Sequence, residues 1–381
     1  MMYLRVFHRD ILTVRSHQWK YYIEPYSGCA FQCTYCLYWN SNADRKPLLP
    51  PGELFAGVEA DISAMVKKQI VYLGATVDPY QMLEKKAGST RRILHSLMRH
   101  EIPVVLLTKS PLILRDLDLL QEFSKRNLLL VQFTVLTTDE AKARHLERGA
   151  PPVAARLDAA SRLSASGIPV HFHLSPVVPG LFSNGELGST VRAIAESGGQ
   201  CIYSNILGMR FRNTKVFFNS MEKLDPQAAA QIRWEYRRNG ASPKNVYSPG
   251  VDLIYSEMSR LRDICFRNRI DFICEFMPGL DVFDPARFDQ GIFRYGLPAV
   301  YQMIQIFDGL SGRLSWPAFC ERLARRFKAL DDEYLDLLKG YWNDGQLFDN
   351  ARMGSEIEAG QRFYFKTPQM NSAANSVLSW D

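Results

Sequence analysis

A chain of 381 residues with 46% hydrophobic content can bury one large core or two of ordinary size, which excludes a disordered scaffold. Its 46 basic and 40 acidic residues leave a formal charge of +6, scattered rather than blocked, and this balance alone makes no case for nucleic acid. No run is apolar enough to span a bilayer, and Arg5, His8, Arg9, Asp10 and Arg15 interrupt the first 20 residues, unlike a signal peptide; no membrane role is expected, and a cytoplasmic, reducing location is.

Between residues 20 and 207, six short apolar runs alternate with longer stretches of helical period. The runs at 21–26, 70–74, 103–107, 128–135, 168–174 and 201–206 are rich in β-branched and bulky residues and predict buried parallel strands. In the first intervening helix Leu54, Val58, Ile62 and Met65 share a face, with Pro51 suited to the opening turn. A helix over 153–166 runs into Gly167 and then Ile168, a glycine stop feeding a strand, and Gly198-Gly199 repeats the device. Six such units predict an α/β fold, a partial (β/α)6 TIM-type barrel with right-handed crossovers. From about Met209 aromatics and loop signals multiply, with helices expected near 253–268, 297–307 and 316–338. The domains are therefore drawn as a barrel over 1–210 and a mostly helical C-terminal extension over 211–381 that covers the substrate side.

The first run leads through Pro25, Tyr26, Ser27 and Gly28 into Cys29, Cys33 and Cys36. Seven cysteines, an odd number with three inside eight positions, argue against a disulfide framework and for metal ligation. The loop follows a barrel strand, and such barrels build their active sites at the carboxyl ends of strands. A 4Fe-4S cluster needs four terminal ligands, usually thiolates, so three cysteines leave one iron open. An open iron binds the amine and carboxylate of S-adenosylmethionine (SAM), and the reduced cluster then cleaves SAM to a 5′-deoxyadenosyl radical. The competing reading is a zinc site completed by His8 or His17, although zinc ligands usually come as two short knuckles and here one carries all three. Cys201, Cys265, Cys274 and Cys320 lack such spacing and read as buried, small apolar residues.

These residues resemble the radical SAM superfamily, and within it the group that includes spore photoproduct lyase. The likeness spans about residues 22–180 and rests on four segments beside the cysteines: Glu24-Pro25-Tyr26-Ser27-Gly28, Thr76-Val77-Asp78-Pro79-Tyr80-Gln81, Thr108-Lys109-Ser110-Pro111, and Leu146-Glu147-Arg148-Gly149-Ala150-Pro151 followed by Arg156. It implies a 4Fe-4S cluster, SAM and an external electron donor such as flavodoxin or ferredoxin. By this resemblance Thr76 and Asp78 mark the SAM-amine region; Tyr35, between the second and third cysteines, is placed to pack near adenine or is plain packing. Lys109 offers a charge to the SAM carboxylate, or is a solvated strand end. One of Thr134 and Thr137 supplies a hydroxyl, and Arg156 with Glu147 braces the loop or touches the ligand. The run from His173 to Gly180 resembles the adenine-side loop. His171 and His173 are read as alternating on their strand, so that only one faces the barrel interior.

The sequence also departs from spore photoproduct lyase, where a cysteine ending the second strand and a tyrosine after the third cluster cysteine handle hydrogen; those places hold Thr76 and Leu37. A threonine O–H does not replace a thiol in that step, so thymine-dimer repair is not expected. No catalytic residue is fixed, and His173, Tyr203, Asn205 and Arg210 are the candidates near the last two strands. The Met209-Arg210-Phe211-Arg212-Asn213 segment and the Arg233, Arg237, Arg238 group either meet phosphate and base or are a polar connection and a solvated helix face. The expected activity is hydrogen abstraction from an organic small-molecule or nucleoside substrate. The alternatives are a spore photoproduct lyase-like enzyme acting on nucleic acid and a non-catalytic metal-binding module.

Overall fold

The computed structural model describes residues 5–6, 20–38, 49, 52–240, 246–274, 277, 280–288, 291–308, 310–348 and 353–366. The main sheet begins with β1 (Arg5–Val6), β2 (Tyr21–Ile23), β3 (Val71–Leu73), β4 (Val104–Thr108), β5 (Leu129–Thr134), β6 (Val170–Val177) and β7 (Cys201–Ile206). Two short strands, β8 (Met209–Arg210) and β9 (Val246–Tyr247), pair antiparallel outside it. β10 (Asp271–Cys274) then returns to the main sheet beside β7, and β11 (Met353–Glu358) and β12 (Gln361–Lys366) form a separate hairpin. Each of the six predicted runs overlaps a strand, β4 and β6 extending past theirs to Thr108 and Val177, and neighbours from β2 to β7 pair in parallel. β1 adds an antiparallel edge, and β10 adds a seventh parallel strand.

Burial on both faces explains why the runs read as continuous apolar stretches, and every residue of β5 is buried. One face carries the crossover helices, such as Ser89–Arg99 with Ile93, Leu94 and Leu97 turned inward. In the helix Leu54–Ser63, Leu54, Val58 and Ile62 are buried, whereas Met65 lies past its end; Pro51 is outside the described residues. Asp139 and Ser183 accept bonds from the first-turn amides of the helices that follow them, which sets where loops at the barrel mouth turn into helices. Gly167 has φ 76°, the left-handed stop expected ahead of β6.

The other face is the barrel lumen, where Tyr72, Val105, Leu130, Tyr203 and Ile273 meet Phe288, Ile292, Phe293 and Ala299. That second group closes the amino end of the barrel. Ile70 N donates to Tyr295 O at 3.2 Å, and Arg287 Nη1 donates to Gln200 O at 2.8 Å, both just before strands begin.

Residues 297–366 build a core of their own around Trp342, Phe319 and Phe348. Its order is a helix (Val300–Ile304) continued by a 3-10 turn, a bridge from Leu314 to Tyr364, helices Trp316–Arg326 and Asp332–Asn343, and the β11–β12 hairpin. Two helices are thus followed by a β-hairpin. The single helix expected over 316–338 is broken, because Phe327 is extended and Asp331 caps a new start by accepting from Tyr334 N at 2.8 Å. The unit sits under the barrel: Lys20 Nζ meets Asp331 at 3.1 Å, and Gln69 Nε2 donates to Ala329 O at 2.9 Å.

The placement of the extension therefore differs from the expectation. Residues 271–274 belong to the barrel sheet, and Arg287, Tyr295, Ala329 and Asp331 contact its amino end, away from the mouth. Periodicity reports that a segment is helical, not which end of a barrel its apolar face covers. Helices Phe211–Leu224 and Pro226–Asn239 are the part that reaches the mouth, through Asn213. Among the described residues no helix is long and apolar enough to cross a membrane.

Candidate active site at the barrel mouth

At the carboxyl ends of β2 to β5 lies a cavity of about 390 Å³. Cys29, Cys33 and Cys36 line it, as do Tyr35, Thr76, Asp78, Lys109 and Thr134. The cysteine loop is held from three directions. Ala30 N donates to Gln81 Oε1 at 2.9 Å, and Gln81 Nε2 donates to Gly28 O at 3.1 Å. Thr34 N reaches Leu146 O at 2.7 Å, and Gly149 N reaches Phe31 O at 2.9 Å. From the extension, Asn213 Nδ2 donates to Cys36 O at 3.2 Å. Gly149 is required by this clamp, since a Cβ there would stand 2.2 Å from Ala30 O. Gly74 on the facing wall, with φ +98°, would put its Cβ 2.2 Å from Leu107 O.

Burial pushes the Cys29 thiol up to about 11 and the Cys33 thiol higher still, so neither is a thiolate without a cationic partner. Iron is such a partner. Among the described residues no three His, Cys, Asp or Glu side chains converge on a single ion. A four-iron cluster sets each thiolate on its own iron, so three sulfurs spread around one cavity fit a cluster better than zinc. His8 and His17 lie outside the described residues.

Behind Cys33, the backbone of which bridges to Glu147, stands a buried ionic group. Glu147 accepts from Tyr35 OH and, at 2.5 Å, from Arg156 Nη1, and Lys109 Nζ is 3.8 Å away. Burial alone would raise the Glu147 carboxyl, but Arg156, Lys109 and the Tyr35 hydroxyl together hold it below the usual range. Burial opposes the Lys109 charge, and the Cys33 sulfur in its ionised form together with the Glu147 carboxylate more than offsets it. Arg156 does not reach the cavity. Its other donors go to Pro151 O at 2.9 Å and Thr134 O at 3.1 Å, so it braces the loop. Asp78 lines the cavity with its carboxylate engaged by Thr108 Oγ1 at 2.8 Å, Lys109 N at 2.7 Å and Tyr80 N at 2.9 Å. Thr76 is tied through its amide and its hydroxyl, both at 2.8 Å, to Glu24.

Of the two threonines weighed, Thr134 faces the cavity, while Thr137 donates its hydroxyl to Glu186 at 2.7 Å. His173 adjoins Thr134 in register and stacks on Tyr203, ring centroids 5.4 Å apart. His171 also packs on Tyr203, at 5.7 Å, so both histidines face the lumen, contrary to the expectation that only one would. A strand repeats every two residues, which puts positions 171 and 173 on one face. Asn205 is half-buried on β7, whereas Arg210 is exposed, and neither lines the cavity. The Met209 to Asn213 segment is a connection: β8 pairs with β9, and Asn213 caps the helix by accepting from Arg210 N at 2.8 Å.

Four residues of this site had no role in the sequence reading: Glu24, Gln81, Asn213 and Tyr38, the last also lining the cavity. Glu24 and Gln81 stand inside the motif segments, and a buried acid and amide next to a ligand loop are their only signal. Tyr38 lies one position beyond Leu37.

Residues 23–184 match the family described as the Radical SAM superfamily. That segment of the chain carries a radical SAM domain. The chain is 27% identical over 263 residues to an uncharacterised protein of Mycobacterium tuberculosis, covering 64% of its own length and 72% of the relative. It is 30% identical over 174 residues to an uncharacterised protein of Methanocaldococcus jannaschii, covering 42% and 62% of the two chains. Its fold is similar to that of spore photoproduct lyase complexed with dinucleoside spore photoproduct, with TM-score 0.52, 14% identity and coverage of 69% and 79%.

Proposed function

We propose that Cys29, Cys33 and Cys36 hold a 4Fe-4S cluster, that SAM binds in the adjoining cavity, and that hydrogen is taken from a carbon of an organic small-molecule or nucleoside substrate. One observation carries this reading: three thiols from a single loop ring a cavity whose other wall holds a half-buried lysine. When bound, the cluster supplies one electron and SAM supplies the 5′-deoxyadenosyl group. Lys109, fixed between Glu147 and the ring of Tyr35 at 5.9 Å, meets the SAM carboxylate as a desolvated point charge. Thr76 and Asp78 frame the amine and ribose side, and Thr134 closes the floor. His173 and Tyr203 present an aromatic surface on the substrate side, and Phe288 and Phe293 pack against the far end of the lumen.

A flavodoxin or ferredoxin supplies the electron in this scheme. All seven cysteines are free, which supports a cytoplasmic, reducing location. The dinucleoside complexed with the similar lyase supports a nucleoside among the substrates. A nucleic-acid polymer is favoured less. Arg233 is paired with Glu222 and Arg238 with Glu235, and the second helix of the C-terminal pair opens on Asp331, Asp332 and Glu333, docked against Lys20.

The test is anaerobic purification and reconstitution, iron and sulfide counts per chain, then reduction with dithionite in the presence of SAM. Chromatography should show 5′-deoxyadenosine. Holoprotein that carries zinc without iron, or that leaves SAM intact, would favour the non-catalytic metal-binding module instead.

A further inference from the structure

We infer that Gln132 and His171, register partners on β5 and β6 one layer below Thr134 and His173, anchor a planar, uncharged amide-type group of the substrate. This rests on reading the cavity above them as the site of a radical SAM reaction.

Gln132 is fully buried, and one end of its amide does all its bonding. Oε1 accepts from Tyr72 OH at 2.8 Å, and His173 Nε2 lies 3.1 Å from it. Nε2 has no partner among the described residues. Exchanging the two ends of the amide only makes the oxygen the unmet atom. On the neighbouring strand, His171 Nδ1 is a second buried atom without a partner. Leaving such a group unmet is destabilising, and a leucine or methionine would fill the same slot without that cost. Two unmet atoms of complementary kind, on register partners of one lumen face, describe a hydrogen-bonding edge.

The edge is uncharged. Burial pushes the His171 imidazole down to about 3, so it is neutral and able to accept at a bare nitrogen. Arg287, the nearest cation below, is paired with Asp271, and Lys109 lies at the mouth beside Glu147. A carbonyl meeting Gln132 Nε2 and an N–H meeting His171 Nδ1 satisfy both atoms at once. Tyr203, stacked against both histidines, walls one side for a flat group.

Saturation-transfer NMR on the reconstituted holoprotein tests this with benzamide, benzoate and benzylammonium, which share a ring and differ in the polar end. Benzamide should bind best. Gln132→Met should weaken it about tenfold, the loss of one hydrogen bond. Gln132→Glu, nearly isosteric, keeps the acceptor for Tyr72 and His173 without the free donor and should weaken it similarly. Benzamide binding no better than the ions, or binding unchanged in both variants, overturns the anchor. A wild-type protein that makes 5′-deoxyadenosine yet ignores benzamide refutes the anchor alone, whereas one that assembles no cluster refutes the reading beneath it.

Discussion

Gly149→Ala is the sharpest test of how the cysteine loop is held. The added Cβ would lie 2.2 Å from Ala30 O and 3.2 Å from Phe31 Cα, both backbone atoms that cannot swing aside as a side-chain tip can. The 146–149 segment must then lift off the loop. That strains or breaks Thr34 N to Leu146 O (2.7 Å) and Gly149 N to Phe31 O (2.9 Å). At about 1 kcal/mol for each bond and 1–3 kcal/mol for overpacking, the loss is roughly 3–5 kcal/mol. Gly52→Ala is the control, because nothing lies within 4 Å of a Cβ built there. Thermal melting and iron per chain after anaerobic reconstitution should both fall for Gly149→Ala and hold for Gly52→Ala. Full iron and a melting point within about 1 °C of wild type for Gly149→Ala would refute the clamp.

Three further outcomes follow from the same geometry. Glu147→Gln leaves Arg156 and Lys109 without their buried anion and should cost roughly 3–5 kcal/mol in urea unfolding. Since the Glu147 carboxyl is held below its unfolded value, its contribution is present above that value and lost as pH falls through the folded one; the variant should show a shallower acid loss in denaturation curves. His171, pushed down to about 3 from 6.5, is protonated in the unfolded chain first, so stability should decline as pH drops below 6.5, and His171→Phe should flatten that decline in melting scans from pH 7 to 4. Cys33→Ala should abolish SAM cleavage and lower iron content, while Cys265→Ala, remote from the cavity, should keep both; equal loss would remove the ligand assignment.

The cysteine loop shows why some of the site was legible. Metal chemistry demands thiols, and a short loop holds them close in sequence, so Cys29, Cys33 and Cys36 stand out without coordinates. Lys109 and Thr134 were legible for a related reason: each ends a strand, and strand ends of a parallel barrel converge at its mouth. Arg156 sits on a helix and turned out to be a brace, because its direction depends on which loop Glu147 follows. Asn213 was invisible, since its partners are backbone carbonyls 177 and 178 positions away.

Local periodicity and ligand spacing by themselves determined the parallel strands, their helices and the cluster loop, because each is a property of neighbouring residues. Tertiary structure alone decided the seventh strand at Asp271–Cys274, the docking of Arg287, Tyr295 and Asp331 beneath the barrel, and that the face shared by His171 and His173 is the one turned to the lumen beside Gln132. Those facts come from contacts between distant segments competing for the same buried surface, and no single window of sequence carries that competition.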